Sequence, residues 1–211
     1  MNEIEKIRNE YSQKSLSKRD VSTDPIHQFD TWFKEVIASE IYEPTACTLA
    51  TASLDGKPSA RTILLKGYSV DGFRFFTNYE SKKGKDLETN PFAAITFFWK
   101  ELERQVQIRG RVEKLNEASS DAYFKSRPIG SQIAAIASPQ SKVIPNREYL
   151  ENKGAEVREQ FKNDPVRPEN WGGYLLIPDY IEFWQGRPSR LHDRIRYLNI
   201  ENNWQIDRLA P

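Results

Sequence analysis

Cysteine and histidine are scarce in this 211-residue chain, which has one cysteine and two histidines. The single Cys47 cannot form a disulfide within the chain, and with two separated histidines it makes no metal-ligand cluster of recognisable spacing. Structural disulfides belong to oxidising compartments, so their absence favours a reducing one. We therefore expect a cytoplasmic protein without a metal centre.

Long apolar runs and an excess of either charge are missing as well. No stretch approaches roughly eighteen uninterrupted apolar residues, and residues 1–16 lack the apolar segment of a signal peptide. Lys and Arg number 31 against 30 Asp and Glu, so the net charge of +1 gives no general attraction to nucleic acid or to an anionic membrane. Neither partner is expected, and any anion must be bound by a local cluster of basic residues.

Aromatic residues, in contrast, reach 12% although hydrophobic residues make up only 38%. The core is therefore expected to consist of relatively few, large side chains. A chain of this length forms one domain of ordinary size, which we assign to residues 25–211. Residues 1–24 are charged and polar, which predicts a short helix followed by a mobile arm, with Arg8 and Tyr11 on one helix face.

The domain should begin with a helix that has Asp24 as its N-cap and Pro25 at its first position, and whose core face runs as far as Ile37. Asp-Gly turns after it indicate an antiparallel meander. The meander strands are predicted at 45–53, 58–68 and 73–77, and later strands at 92–99, 104–115, 174–177, 180–185, 191–198 and 204–209. Helices are predicted at 81–87, 116–126, 130–137 and 147–161, a bulge at Gly110, and the last turn at Asn202 and Asn203. Short antiparallel strands with inserted helices indicate an α+β fold, a β-barrel with peripheral helices.

Residues 180–194 (YIEFWQGRPSRLHDR) concentrate aromatic rings, three arginines and one histidine. Arg190, His192 and Arg194 are spaced by two, so in an extended strand all three point to one face. Like charges on one face repel one another unless an anion lies among them, so the stretch is either a solvated edge strand or an anion site. Asp193 would point to the other face, and no Ser-His-Asp triad for hydrolysis is indicated.

Basic residues form two further groups. Arg61 and Lys66 stand at the two ends of an apolar strand, on opposite faces because their separation is odd; two edge cations are the simpler interpretation, and two separate sites the other. Thr77 precedes residues 81–83 (SKK) at a helix start, which is either a solvated lysine-rich helix or a phosphate site.

A second possible phosphate site consists of three residues spaced by four, which would bring a phenol, a guanidinium and a hydroxyl together at a helix end. Its members are Tyr123, Arg127 and Ser131. Neutral groups suited to the edge of a heteroaromatic ring are Gln105, Gln140 and Ser141.

These segments follow one another as RTILLK at 61–66, FFTN at 75–78, SKK at 81–83, LERQVQIRG at 102–110, YFKSRP at 123–128, QSKVI at 140–144, FWQGRPSRLHDR at 183–194 and WQIDRLAP at 204–211. In this order, over nearly the whole chain, they resemble the pyridoxamine 5′-phosphate oxidase family, with RLHDR and RLAP as the most specific motifs. The resemblance implies an FMN-binding split β-barrel with a Greek-key-like antiparallel sheet, and a homodimer with FMN at the subunit interface. It also implies oxidation of pyridoxamine or pyridoxine 5′-phosphate to pyridoxal 5′-phosphate by O₂, with release of H₂O₂.

By the same resemblance, the cofactor contacts are Arg61, Thr62, Ile63, Leu64, Leu65, Lys66, Phe76, Thr77, Lys82, Lys83, Gln105, Gln140, Ser141, Trp184 and Arg194. The substrate contacts are Lys66, Tyr123, Arg127 and Ser131 at its phosphate, Arg190 and His192 at its ring, and Arg8 with Tyr11 in a segment that closes over it. Arg190 and His192 are the catalytic candidates. His192 either orients the ring or acts as a base while a hydride passes from substrate C4′ to flavin N5.

Two positions depart from the family pattern. Lys82 stands where many members have arginine, which replaces a bidentate fork by a point charge, and residues 127–131 lack the charges that some relatives carry between Pro and Ser. Three other functions stay open. They are a flavin reductase acting on a nicotinamide, a barrel that binds nucleic acid, which the balanced charge disfavours, and an inert FMN-storage protein.

Overall fold

The computed structural model of the chain describes residues 3–6, 10–162 and 164–211. Its helices are α1 (Glu3–Lys6), α2 (Pro25–Ala38), α3 (Lys82–Thr89), α4 (Glu117–Ser126), α5 (Ile129–Ala137) and α6 (Arg147–Phe161). Its strands are β1 (Ala46–Ala52), β2 (Pro58–Leu64), β3 (Gly67–Ser69), β4 (Gly72–Asn78), β5 (Phe92–Trp99), β6 (Arg104–Lys114), β7 (Trp171–Gln185), β8 (Asp193–Ile200) and β9 (Asn203–Leu209). The predicted α+β class is confirmed.

The strands form one antiparallel sheet in the order β2-β1-β5-β6-β7-β4-β3, and β8 and β9 continue it from β7. The 15-residue β7 is the centre of the sheet. Its residues 174–185 pair with β6, residues 171–176 pair with β4, and residues 180–185 pair with β8. One long strand therefore holds together both halves of a split barrel.

The barrel curls because its two outermost strands are neighbours in sequence. The meander predicted over 45–77 is wrong: β2 pairs with β1, β3 pairs with β4, and only Leu65 and Lys66 separate β2 from β3. The Leu65 amide donates to Thr45 in the β1 hairpin, whereas the Lys66 amide donates to Arg74 in β4. Since this link spans at most about 11 Å, the two edges of the sheet must lie close together.

The bulge predicted at Gly110 is confirmed, and its partner strand explains why two predicted strands are one. Arg109 pairs with Tyr180 and Gly110 with Pro178, so Asp179 is the extra residue. A proline is tolerated in the middle of a sheet at such an irregularity. The predicted strands at 174–177 and 180–185 therefore merge into β7.

Helix α2 begins as predicted, since the Asp24 carboxylate accepts a hydrogen bond from the Ile26 amide. Its buried Phe29 lies among the rings of Phe33, Tyr68, Phe73, Phe97 and Trp99, at centroid distances of 4.9–6.2 Å. The expected core of few, large side chains is confirmed.

Two predicted details were wrong. Ile37 does not lie on the core, because it is 52% exposed near the end of α2. The last hairpin turns at Glu201 and Asn202, both with left-handed φ, rather than at Asn202 and Asn203, because Asn203 is already paired in β9.

We expect Gly110→Ala to destabilise the protein by about 1–3 kcal/mol, because the added Cβ would lie 1.9 Å from the Ile177 carbonyl oxygen across the bulge. The matched control is Gly154→Ala in α6, where no atom lies within 4 Å of the added Cβ and alanine should stabilise the helix by about 0.5–1 kcal/mol. Urea unfolding measures both changes. Equal stabilities of Gly110→Ala and wild type would contradict the close approach.

Candidate functional site

A cavity of about 620 Å³ opens where β2, β4, the start of α3 and the start of β7 meet α4 and the loop after α5. It is lined by Ser59, Ala60, Arg61, Thr62, Ile63, Leu64, Lys66, Phe76, Thr77, Lys82, Lys83, Tyr123, Arg127, Gln140, Ser141 and Trp171. Closure of the sheet places its basic residues around one volume. Arg61 and Lys66 thus share a cavity, and the prediction of opposite faces was wrong because the strand ends at Leu64, before Lys66.

Arg61 and Lys82 form one side of this basic site. The Arg61 guanidinium donates to the Thr51 hydroxyl at 2.9 Å and to the Ser59 hydroxyl at 2.6 Å, so its orientation is set by neutral partners on β1 and β2. Lys82 pairs with the buried Asp86 one turn along α3, and Asp86 also accepts from Thr51 at 2.8 Å. Asp86 therefore holds Lys82 directly and Arg61 through the Thr51 hydroxyl.

Lys83 is the most deeply buried cation of the site, at 7% exposure. Its ammonium donates to the Thr77 and Ser81 hydroxyls and to the Gln140 side-chain oxygen at 3.1–3.3 Å, all of them neutral acceptors. Burial, with a smaller contribution from the Arg61 charge, lowers the pKa of Lys83 to about 8. An anion bound beside Lys83 would raise this pKa again, because it favours the charged ammonium.

Arg127 forms the other side of the cavity with aromatic support. Its guanidinium carbon lies 4.7 Å from the Trp171 ring centre, and the rings of Trp171, Phe76 and Tyr123 are stacked, with 3.8 Å between Phe76 and Tyr123. Its Nη1 is buried without a hydrogen-bond partner among the described residues. Together with Lys66, this orphan donor fits an anionic oxygen of a ligand.

Leu65 and Ser131, which were predicted to join this site, do not line the cavity. Leu65 is 3% exposed and packs in the core, while Ser131 lies in the first turn of α5. Sequence reasoning missed Trp171, whose role depends on a stack between residues far apart in the chain, and Asp86, which resembles any surface carboxylate of a lysine-rich helix.

Gln105, Trp184 and Arg194 form a separate row across β6, β7 and β8, where each is paired with the next in register. None of them lines the cavity of the described chain. Arg194 binds the nearly buried Glu182 carboxylate through two hydrogen bonds of 2.7 and 2.9 Å and donates to the Ala210 carbonyl at 2.8 Å. Glu182 thus fixes the plane of the Arg194 guanidinium and with it the C-terminus.

Arg190 and His192 lie in the loop before β8, not on a strand with Arg194. Arg190 has φ +60 and strand β8 begins only at Asp193, so the prediction of one shared strand face was wrong. The His192 ring instead packs on Trp184 at 4.6 Å between centroids. His192 therefore adjoins the row across β6–β8.

Tyr11 completes this second group of residues. Its ring centre lies 5.7 Å from that of Trp184 and 5.8 Å from that of His192, with Gly186 packed against it. The next two backbone amides, of residues 12 and 13, donate to the Glu103 carboxylate at 2.9 and 3.0 Å. Tyr11 is not helical, so a shared helix face with Arg8 is wrong for it, and Arg8 itself lies outside the described residues. The mobility of residues 1–24 stays a prediction.

Within the ranges that the structure describes, no three His, Cys, Asp or Glu side chains are grouped so that they could hold a metal ion. No described helix is long and apolar enough to cross a membrane.

The fold and the cavity define a split-barrel protein with a cavity lined by several basic residues. The pyridoxamine 5′-phosphate oxidase family profile matches residues 33–161, and the profile of the pyridoxine 5′-phosphate oxidase C-terminal dimerisation region matches residues 171–211. The chain belongs to the pyridoxamine 5′-phosphate oxidase family, a family of oxidoreductases, and the resemblance inferred from its motifs is confirmed.

Individual relatives agree with this assignment. Pyridoxine/pyridoxamine 5′-phosphate oxidases of Cupriavidus metallidurans and Burkholderia lata are each 53% identical to this chain, over 100% of both sequences. The crystal structure of PhzG from Burkholderia lata, in complex with tetrahydrophenazine-1-carboxylic acid, is 31% identical with a TM-score of 0.89, over 95% of this chain and 100% of that one. A pyridoxamine 5′-phosphate oxidase-related, FMN binding protein from Nostoc punctiforme has a TM-score of 0.69 at 17% identity, over 93% and 99%, a likeness of fold alone.

Anion binding at Lys83 should weaken as the pH rises through about 8, because the ammonium loses its proton there. Sulfate stays a dianion over this range, so the rise in Tm that it causes, relative to sodium chloride of equal ionic strength, should shrink. Lys83→Gln should show a smaller sulfate effect without this pH dependence. Lys85→Gln, at an exposed position of the same helix, is the control and should behave as wild type. A full sulfate effect in Lys83→Gln would refute the assignment.

Proposed function

We propose that this protein is an FMN-dependent oxidase that converts pyridoxamine 5′-phosphate and pyridoxine 5′-phosphate to pyridoxal 5′-phosphate, with O₂ as electron acceptor and H₂O₂ as product. The observation that carries the proposal is a single cavity lined by five basic residues, Arg61, Lys66, Lys82, Lys83 and Arg127. We assign Arg61, Lys82 and Lys83 to one side and Lys66 and Arg127 to the other, which suits one phosphorylated cofactor and one phosphorylated substrate.

The residues on the first side fit the FMN phosphate. Lys83 is a desolvated ammonium whose protein partners are neutral, and Arg61 adds a second cation whose orientation is already set. A phosphate dianion between them would offset the cost of burying both charges. The Thr77 hydroxyl donates to the Gln140 side-chain oxygen at 3.0 Å. Both side chains can also exchange hydrogen bonds with the hydroxyls of a polyol chain.

The second side fits the phosphate of the substrate. The Arg127 Nη1 has no partner among the described residues, and its guanidinium is held in place by the Trp171 ring. Tyr123 adds a phenol, and Lys66 adds an ammonium. A phosphate here would accept a hydrogen bond from the buried Arg127 Nη1. We therefore assign this side of the cavity to a specific contact with the substrate phosphate and not merely to charge attraction. Ser131 is a less direct candidate, since it does not line the cavity.

The row of Gln105, Trp184 and Arg194 enters the proposal through a homodimer. The match to a dimerisation region over residues 171–211 supports association of two copies. We propose that FMN lies at the interface between them. In one chain this row lies outside the cavity. We therefore propose that its residues contact the FMN bound in the cavity of the second copy. Tyr11, Arg190 and His192 adjoin the row and would then reach the substrate from the same side.

FMN, when bound, supplies the N5 atom that accepts a hydride from substrate C4′ and later passes the electrons to O₂. The residues of this chain bind and orient. Lys66 and Arg127 hold the substrate by its phosphate, Arg190 positions its ring and places positive charge near it, and Trp184 and Tyr11 exclude water from one side. Rate enhancement would come chiefly from this alignment.

A second candidate substrate is a reduced phenazine carboxylic acid. Its support is the PhzG structure from Burkholderia lata, which is similar over 95% of this chain and holds tetrahydrophenazine-1-carboxylic acid. Such a substrate has no phosphate, so the phosphate cradle formed by Lys66 and Arg127 would lack phosphate oxygens as hydrogen-bond acceptors. The phosphorylated substrate is therefore preferred.

The function is tested by the absorbance spectrum of the purified protein. We expect a flavin spectrum that is bleached by anaerobic addition of pyridoxamine 5′-phosphate and restored by O₂ with formation of H₂O₂. A colourless protein, or a yellow one that this substrate does not bleach, would overturn the proposal. Faster bleaching by a reduced phenazine carboxylic acid would favour the second candidate.

Arg127→Ala should raise KM for pyridoxamine 5′-phosphate about 10- to 100-fold, since a hydrogen bond to a charged group contributes about 1.5–3 kcal/mol. The effect on kcat should be small, because this contact lies at the phosphate and not at C4′. Arg147→Ala serves as control, since Arg147 is exposed on α6 and pairs with Glu151. Steady-state kinetics with added FMN decides the matter, and an unaltered KM would remove Arg127 from the cradle.

A further inference from the structure

The loop between β7 and β8 has a strained backbone. Ser189 and Arg190 have φ values of +56 and +60, a left-handed conformation that costs a non-glycine residue roughly 1–2 kcal/mol. Such strain persists where surrounding contacts over-determine the chain, and it concentrates at functional sites. In this loop, it turns the chain so that the Arg187 amide donates a hydrogen bond to Nδ1 of His192 at 3.1 Å.

This hydrogen bond decides where the imidazole proton resides. A backbone amide can only donate, so Nδ1 must offer its lone pair to Arg187. A neutral imidazole carries one proton, and that proton is then on Nε2 of His192. Protonation to the imidazolium would place a second N–H against the amide and break the bond.

The ring is also held in place from both sides. The His192 centroid lies 4.6 Å from that of Trp184 and 5.8 Å from that of Tyr11, which belong to β7 and to the N-terminal segment. In the described ranges, its Nε2 has no hydrogen-bond partner, and the residue is partly exposed. The ring nitrogen left without a partner among these residues is therefore a donor.

The charged groups around the ring favour its neutral form. Burial, with a smaller contribution from the nearby Arg190 cation, lowers the pKa of His192 below its usual value. The adjacent Asp193 carboxylate would favour a cation, but it is occupied by Arg208 at 2.6 Å and faces Arg187 at 3.6 Å. The rings in contact with the imidazole, those of Tyr11 and Trp184, bring neither a carboxylate nor an ammonium to it.

We propose that His192 is a fixed hydrogen-bond donor of the active site and not its general base: the Arg187 amide occupies Nδ1, so Nε2 presents its proton to an oxygen or nitrogen acceptor on the substrate ring. A base at this position would need a free lone pair on Nε2, which this tautomer lacks. The tautomer stands independently of the catalytic assignment, whereas the contact to substrate rests on the proposed function.

The tautomer is read directly by long-range ¹H–¹⁵N correlation spectra of the full-length protein labelled at histidine. The chain has only two histidines, and the variant of the exposed His27, His27→Gln, assigns the signals. We expect His192 to show a protonated Nε2 and an unprotonated Nδ1 at neutral pH, and to take up its second proton at a lower pH than a free imidazole. A protonated Nδ1 at neutral pH, as the other tautomer or as imidazolium, would overturn the proposal whatever the activity.

A matched pair of variants tests the role in turnover. The glutamine amide of His192→Gln places a donor near the position of Nε2, whereas the shorter asparagine of His192→Asn places it near Nδ1, and neither can act as a base. We expect His192→Gln to retain kcat/KM about tenfold better than His192→Asn, with the limbs of the wild-type pH profile unchanged. His27→Gln should behave as wild type. An equal, deep loss in both His192 variants, together with loss of one limb of the pH profile, would identify a base instead. If the protein oxidises no pyridoxamine 5′-phosphate at all, the proposed function fails while the spectra still decide the tautomer.

Discussion

The short link of Leu65 and Lys66 is the constraint on which the site depends. It joins the two edges of a curled sheet, so β2 and β4 must approach each other although several strands separate them in the hydrogen-bonded order. Leu65 is anchored in the core, so the edges cannot drift apart without exposing it. The cavity between these edges is therefore lined by Arg61 from β2, by Lys66 from the link itself, and by Lys82 and Lys83 from α3, the helix that follows β4.

The cavity holds positive charge that the protein only partly balances. Asp86 pairs with Lys82, whereas Lys83 has hydroxyl and amide partners and Arg127 keeps an unpaired buried donor. Buried charges without counter-charges oppose folding. An anionic ligand would offset this cost. The same side chains therefore lower the stability of the ligand-free protein and raise its affinity for phosphate.

The second group of residues depends on contacts between distant segments. Glu103 after β5 holds the backbone that carries Tyr11, and Gly186 after β7 leaves room for the Tyr11 ring, since a Cβ there would lie 2.7 Å from it. The left-handed loop that follows orients His192 through a backbone amide. Side chains near the proposed reacting centre are thus positioned through hydrogen bonds of main-chain amides, two to the Glu103 carboxylate and one to the His192 ring.

Local patterns in the sequence determined the cap of α2, the Asp-Gly turns, the bulge at Gly110, most strand positions and, through the order of its motifs, the family. They did so because caps, turns and pleat alternation depend on residues within a few positions of each other. Only the tertiary structure decided that Arg61 and Lys66 share a cavity, that Trp171 supports Arg127, and that His192 lies in a strained loop and not on a strand. Periodicity assumes that a strand continues, and it carries no information about where the chain leaves one edge of a sheet for another or adopts a left-handed backbone. Those features are set by long-range pairing and packing, which no spacing of residues records.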